Sequence, residues 1–293
     1  MQHTYDCIII GAGPAGISAA LYTLRANLKT LILRKGGGAL ERAEQIDNYY
    51  GFPQGIPGAQ LLQNGEQQAL RLGADLLDCE VTKLMPGPLQ EVTTTAGVFT
   101  APALLLATGT GRKRPAGFEL ESFEGRGVSY CAICDGFFHR GKDVAVLGTG
   151  EYARAEAREL AAFAGSVTLL TNGAPLETDM GEIPVLTERI DGLESEQPDG
   201  PLTAVRFKDG SRQAVSGLFI AIGTASASDM ARSAGIVTGP KGIVTDPSMQ
   251  TNLKGVFAAG DCVGGLFQIA KAVGEGAVAG VAMAEFVRSQ KKG

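Results

Sequence analysis

A strand–glycine–helix pattern occurs twice in this chain of 293 residues, the second copy displaced by 137 positions. Tyr5-Asp6-Cys7-Ile8-Ile9-Ile10 is an apolar run suited to a buried parallel strand. It leads into Gly11-Ala12-Gly13-Pro14-Ala15-Gly16, and Ile17 to Arg25 reads as a helix. Gly11 permits a tight turn, Gly13 lets a pyrophosphate approach the backbone, and Gly16 lets the helix pack on the strand. The helix opening at Pro14 adds a partial positive charge and, from Ala15 onward, amide donors. In the second copy Asp143-Val144-Ala145-Val146-Leu147 runs into Gly148-Thr149-Gly150-Glu151-Tyr152-Ala153, in step with Asp6 to Gly16. Ala155 to Phe163 then reads as the helix and Val167 to Leu170 as the next strand. The pattern predicts an α/β chain with two Rossmann-like nucleotide-binding domains.

Between the copies, Leu31-Ile32-Leu33 is a strand whose end normally carries an acid for a ribose hydroxyl. Arg34-Lys35 stand there instead, and a base at that point can reach adenosine or phosphate. The loop Gly36-Gly37-Gly38 and the stretch Gln45 to Pro53 follow; Gln45 and Asn48 are candidates to line a flavin ring, the alternative being a packed surface loop. Gln60 to Leu72 reads as an amphipathic helix and Val92 to Phe99 as a hairpin. Ala103 to Gly109 is a buried strand ending in a turn at Thr108-Gly109, echoed by Leu218 to Gly223. Near the end, Gly255 to Ala259 is a strand running into Gly260-Asp261, whose carboxylate suits a ribityl hydroxyl or a helix cap. Gln268, Ile269 and the small-residue helix Gly274 to Phe286 are candidates to pack on an isoalloxazine. This last block follows the second glycine unit, so the first domain is expected to be split, 1–112 with 223–293, and the second, 113–222, inserted into it.

Cys131-Ala132-Ile133-Cys134-Asp135-Gly136 carries the chemistry. Two cysteines three apart fit one turn, can close and reopen a disulfide, and tend to lower one thiol pKa. Asp135 can carry a proton to or from a sulfur. A zinc site needs two more ligands, and His3, His139, Cys7, Cys79 and Cys262 are not paired at ligand spacing. A redox role is therefore favoured over a metal or a buried structural pair. Cys7, Cys79 and Cys262 read as structural, although Cys262 adjoins Asp261.

Composition narrows the setting. A net charge of −5 argues against general affinity for nucleic acid or anionic membrane, and no apolar run reaches the ~20 residues of a membrane span. The N-terminus enters a strand directly, and five cysteines make no disulfide framework, so a cytoplasmic protein without metal is expected.

The two glycine units, the Cys131-Ala-Ile-Cys-Asp-Gly136 segment and Ala258-Ala-Gly-Asp261 stand in the order seen in low-molecular-weight thioredoxin reductases, and the chain resembles that family along nearly its whole length. The resemblance implies FAD in the split domain and the dithiol in the inserted one. It implies that Cys134 faces the flavin, that Cys131 attacks thioredoxin, and that the protein is a homodimer whose domains rotate.

One departure changes the expected donor. NADPH-using members carry a His-Arg-Arg run and a further Arg after the second strand of the inserted domain, because the 2′-phosphate needs fixed positive donors. Here the strand ends Leu170-Thr171-Asn172-Gly173-Ala174-Pro175, with no Lys or Arg to residue 188 and acids at Glu177, Asp179, Glu182 and Glu188. Glu151 adds a carboxylate in the second glycine loop, so NADPH binding is expected to be lost. The chain then resembles the pyridine-nucleotide-independent branch, in which reduced ferredoxin is the donor. Arg112-Lys113-Arg114, Arg140 and Lys142 are candidates to meet an acidic donor, and Phe267 stands where the family has an Arg. Three alternatives stay open: an NAD(P)H-dependent reductase with an atypical pocket, a small-molecule dithiol oxidase, and a flavin-loaded sensor.

Overall fold

Cys7–Ile10 lies at the centre of a parallel sheet, with Ala103–Leu106 and Val256–Ala258 on one side and Thr30–Arg34 and Asp75–Asp78 on the other. The computed structural model describes residues 3–36, 38–41, 43–109, 119–130, 132–222, 227–239 and 241–291. It divides into two units, Met1–Gly111 with Ser226–Gly293, and Arg112–Ala225.

In the first unit every residue of the two central strands is buried, as continuous apolar runs require when both faces are covered. A second sheet follows the order His3–Thr4, Gly97–Ala101, Gln90–Thr94, Val81–Met85, and its tight turn at Thr95-Ala96 is the expected hairpin. The helices Pro14–Arg25, Gly58–Arg71 and Ile269–Gln290 complete the unit. The last is longer than the sequence pattern suggests: it starts at Ile269, with Gln268 as its extended N-cap. The triple-glycine stretch also differs, since Gly38–Glu41 forms a helical turn.

Small residues let Ile269–Gln290 lie directly on Pro14–Arg25. A Cβ added to Gly276 would stand 2.1 Å from the Ala15 carbonyl oxygen, and one on Gly280 2.5 Å from that of Ala19. Both obstacles are backbone, so the helices must part. Gly276→Ala is therefore expected to destabilise the protein by about 1–3 kcal/mol, as overpacking does, although alanine is the better helix former. A urea melt of parent and variant measures it; an unchanged midpoint would mean that the two helices do not pack this closely.

The second unit repeats the plan. Its parallel sheet runs Val185–Leu186, Ser166–Leu170, Asp143–Leu147, Gly217–Ile220, Val128–Ser129, beside an antiparallel trio Ile190–Glu194, Ala204–Phe207 and Arg212–Ala214. Val128, Leu147, Leu170, Leu218 and Phe207 belong to its core. The glycine-loop helix is Glu151–Ala161, one turn earlier than the apolar spacing suggests. Among the described residues no helix is long and apolar enough to cross a membrane.

Candidate functional site

The two glycine loops share a backbone design. Gly11 N donates to Leu33 O at 2.8 Å and Gly148 N to Leu170 O at 3.0 Å. Ala107 N donates to Ile10 O, and Ala221 N to Leu147 O, both at 2.8 Å. A Cβ would meet the Ala107 carbonyl at 2.3 Å from Gly11 and the Ala221 carbonyl at 2.2 Å from Gly148. Each first glycine therefore lets the strand end turn against its neighbour. At Gly11 the φ of +112° adds a conformational demand that only glycine meets easily.

What lies over the two helices differs. Gly13 is the N-cap of Pro14–Arg25, no acid sits in that first turn, and the amides of Ala15 and Gly16 precede the first intrahelical bond, Ile17 N to Gly13 O at 2.9 Å. A Cβ built on Gly13 meets nothing within 4 Å. This is an open, positively polarised cradle. Glu151, by contrast, begins the second helix, and its carboxylate pairs with Arg154 at 2.5 Å and accepts a hydrogen bond from Thr178 Oγ1. Thr149 Oγ1 donates to Glu177 Oε1 at 3.0 Å, and Glu177 N returns a bond to Thr149 O at 2.9 Å. The acidic segment 177–179 thus closes over the second loop, with Arg154 Nη1 3.5 Å from Asp179 O.

The first unit also gathers polar groups suited to FAD. Thr108 Oγ1 is buried without a hydrogen-bond partner, and Gly109 follows it at φ +69°. Asp261 is half-buried, its carboxylate makes no hydrogen bond among the described residues, and burial raises its pKa against the opposing pull of Lys271. The Gly260 corner that presents it is fixed on both sides, since Gly260 N donates to Glu275 Oε2 and Lys271 Nζ donates to Gly260 O, both at 2.9 Å. Asn48 Nδ2 donates to Gln268 Oε1 at 3.0 Å, which joins two candidates 220 positions apart; Ile269 follows as the first residue of its helix. Gln45 instead braces its own loop through Gln54 O at 2.9 Å.

Arg34 is already engaged, contrary to the expectation of a base reaching for the cofactor: its guanidinium pairs with Glu66 and, at 3.4 Å, with Asp78. A buried carboxylate, Glu80, lies beside that strand end, and sequence reasoning overlooked it. Glu80 is 5% exposed, Oε2 accepts from Lys35 Nζ at 2.6 Å, and Oε1 has no partner. An open phosphate cradle, an orphaned hydroxyl, and unbonded carboxylate oxygens fit a ligand with a pyrophosphate and hydroxyl donors, as FAD has. Cys262 takes no part: burial pushes its thiol up to about 12, and Sγ donates to Ala259 O at 3.2 Å.

In the second unit the dithiol segment forms a helical turn, Ala132–Asp135, continued by Gly136–His139. Cys131 lies outside the described residues, as do Arg112-Lys113-Arg114, and the side chain of Cys134 is likewise not described. Asp135 accepts a 2.6 Å hydrogen bond from Ser129 Oγ, and Ala132 N donates to Glu156 Oε2 at 2.7 Å. His139 is structural: its Nδ1 lies 2.9 Å from Ser216 Oγ, and its ring stands edge-on to Phe219. Phe137 and Phe138 follow the dithiol turn at 67% and 72% exposure.

Two dinucleotide-type domains, one with an open cradle and the other carrying a dithiol turn, define a flavin disulfide oxidoreductase. The chain belongs to the pyridine nucleotide-disulphide oxidoreductase family, whose model matches residues 5–276. It is 38% identical to a thioredoxin reductase of Streptomyces coelicolor, with 96% of this chain and 93% of that one covered. Among solved structures it is similar to an atypical thioredoxin reductase from Desulfovibrio vulgaris Hildenborough, with TM-score 0.90, 41% identity, and 97% and 98% of the two chains covered. A ferredoxin-flavin thioredoxin reductase from Clostridium acetobutylicum matches with TM-score 0.72, 27% identity, and 99% and 100% covered.

Proposed function

We propose that this chain is a thioredoxin reductase with FAD as cofactor, passing electrons from reduced ferredoxin to thioredoxin without a nicotinamide nucleotide. The observation that carries the choice of donor is the closure of the second glycine loop by Glu151 and Glu177. A nucleotide pyrophosphate there would meet Glu177 and would have to displace Glu151 from Arg154 and Thr178, and like charges ~4 Å apart repel by ~4 kcal/mol at an intermediate dielectric. That weakens binding about a thousandfold. The same reading expects a homodimer acting in the cytoplasm.

In this reading the cradle at Gly11, Gly13, Pro14, Ala15 and Gly16 holds the pyrophosphate of FAD, while Thr108, Gly109, Glu80 and Asp261 receive its hydroxyls. Asn48, Gln268 and Ile269 line the ring end. When bound, FAD supplies the store that turns single-electron deliveries into a two-electron reduction. Opening the Cys131–Cys134 disulfide consumes two electrons and two protons, and in this reading Asp135, whose carboxylate accepts a hydrogen bond from Ser129, carries a proton to a departing sulfur. Cys131 then attacks the partner disulfide, releasing one thiolate. Cys134 displaces the other and restores the internal bond. The exposed Phe137 and Phe138 favour a protein substrate, since a small dithiol would leave that apolar pair uncovered.

One observation favours a nicotinamide donor. The exposed Arg189 side chain lies against Gly173, so close that a Cβ there would be 2.9 Å from Arg189 Cγ. This brings a guanidinium to the end of the second strand, where a 2′-phosphate would be read. Arg189 is exposed, and the loop it would serve is already closed by the hydrogen-bonded Glu151 and Glu177. Anaerobic stopped-flow mixing decides between the donors: flavin absorbance is expected to bleach with reduced ferredoxin and to stay unchanged with NADPH or NADH. Fast bleaching by either nucleotide would overturn the reading.

A further inference from the structure

We infer that Glu156 is a positioning residue of the dithiol, holding the Cys131–Cys134 turn in place and keeping its reduction potential low. The inference rests on the reading of these cysteines as the exchanging pair.

Glu156 sits on the buried side of Glu151–Ala161, and its Oε2 accepts the Ala132 amide at 2.7 Å. Ala132 directly follows Cys131 and is fully buried. The far end of the turn is held by the same helix and the loop after it: a Cβ on Gly136 would stand 2.4 Å from the Phe163 ring and 3.0 Å from Leu160. The dithiol turn is thus fixed at both ends to the scaffold of its own unit. The Ala132 amide favours the ionised form of Glu156 against the cost of its burial, and in this inference that charge stands where the turn begins.

The electrostatic consequence follows. First-turn amides are what usually stabilise a thiolate at such a position, and a thiolate stabilised in the reduced form makes a pair more oxidising. Here the amide after Cys131 is taken by a carboxylate, and that charge disfavours a thiolate beside it. The reduced pair is left less stable, so it gives up its electrons more readily to a partner disulfide. This suits a reductase, whose dithiol must lie below its substrate in potential.

Glu156→Gln keeps an acceptor for the Ala132 amide but removes the charge. In the FAD-loaded full chain, equilibrated anaerobically at pH 7 in dithiothreitol buffers and alkylated, mass spectrometry of the Cys131–Cys134 peptide reports the dithiol fraction. The variant is expected to favour the dithiol about tenfold more than the parent, a midpoint about 30 mV more positive. Glu156→Ala loses both charge and acceptor and is expected to shift the midpoint the same way with a lower melting temperature. A midpoint unchanged in Glu156→Gln overturns the inference, whatever the alanine variant does to stability. A parent peptide that never alternates between disulfide and dithiol overturns instead the reading of the cysteines beneath it.

Discussion

Replacing Cys131 with serine is expected to abolish disulfide turnover, by at least about 10³-fold, while leaving reduction of the bound flavin by its electron donor intact. Without Cys131 the internal disulfide cannot form, so electrons that reach the protein have no exit. Cys134→Ser is expected to be equally inactive for a different reason. Its Cys131 thiolate can still attack the partner, but no second thiol releases the product. Incubated with oxidised thioredoxin, Cys134→Ser should therefore accumulate a mixed disulfide of both chains, visible on a non-reducing gel, and Cys131→Ser should not. Trapping by Cys131→Ser instead would reverse the two roles, and turnover surviving in either variant would remove the pair from the mechanism.

The features legible in the sequence are those where the backbone leaves one residue type little choice. Gly11 and Gly148 were identifiable because a strand that must turn beneath a neighbouring carbonyl has no room for a Cβ, and the same bond pattern recurs around both. The strands were legible as unbroken apolar runs because both faces are covered. Side-chain partners were not. Glu156 is one acid in an alanine-rich helix, and nothing local says that it reaches an amide 24 positions earlier; its burial between Ala155 and Ala157 is the faint signal. Glu80 and Lys35 meet only because their strand ends are neighbours in the sheet, as do Arg34 and Asp78, and Glu66 reaches Arg34 from the helix Gly58–Arg71. The acids after Thr171 were visible as charge, but that Glu177 bonds back to Thr149 depends on how 171–182 folds over the loop.

Gly13→Val is expected to lower FAD affinity by at least about 100-fold, equivalent to about 2.7 kcal/mol, while leaving the stability of the apoprotein within about 0.5 kcal/mol of the parent. The backbone there is extended, with φ −75° and ψ −175°, a conformation valine accepts without strain. A Cβ at this point has nothing within 4 Å, so the branch point of the valine meets open space. What the isopropyl group is expected to obstruct is a ligand over the amides of Ala15 and Gly16. Gly11→Ala makes the contrast: its Cβ would strike the Ala107 carbonyl at 2.3 Å, at a φ of +112°, so it should weaken the fold even with no cofactor present. Thermal melts of the two apoproteins and quenching of flavin fluorescence on titration separate the effects. Should Gly13→Val bind FAD as the parent does, the open space over this helix would not be a phosphate cradle. Should it unfold instead, the space would have to be filled by the chain itself, as at Glu151 in the second loop. An affinity lost at constant stability is the one combination that a site kept open for a pyrophosphate requires.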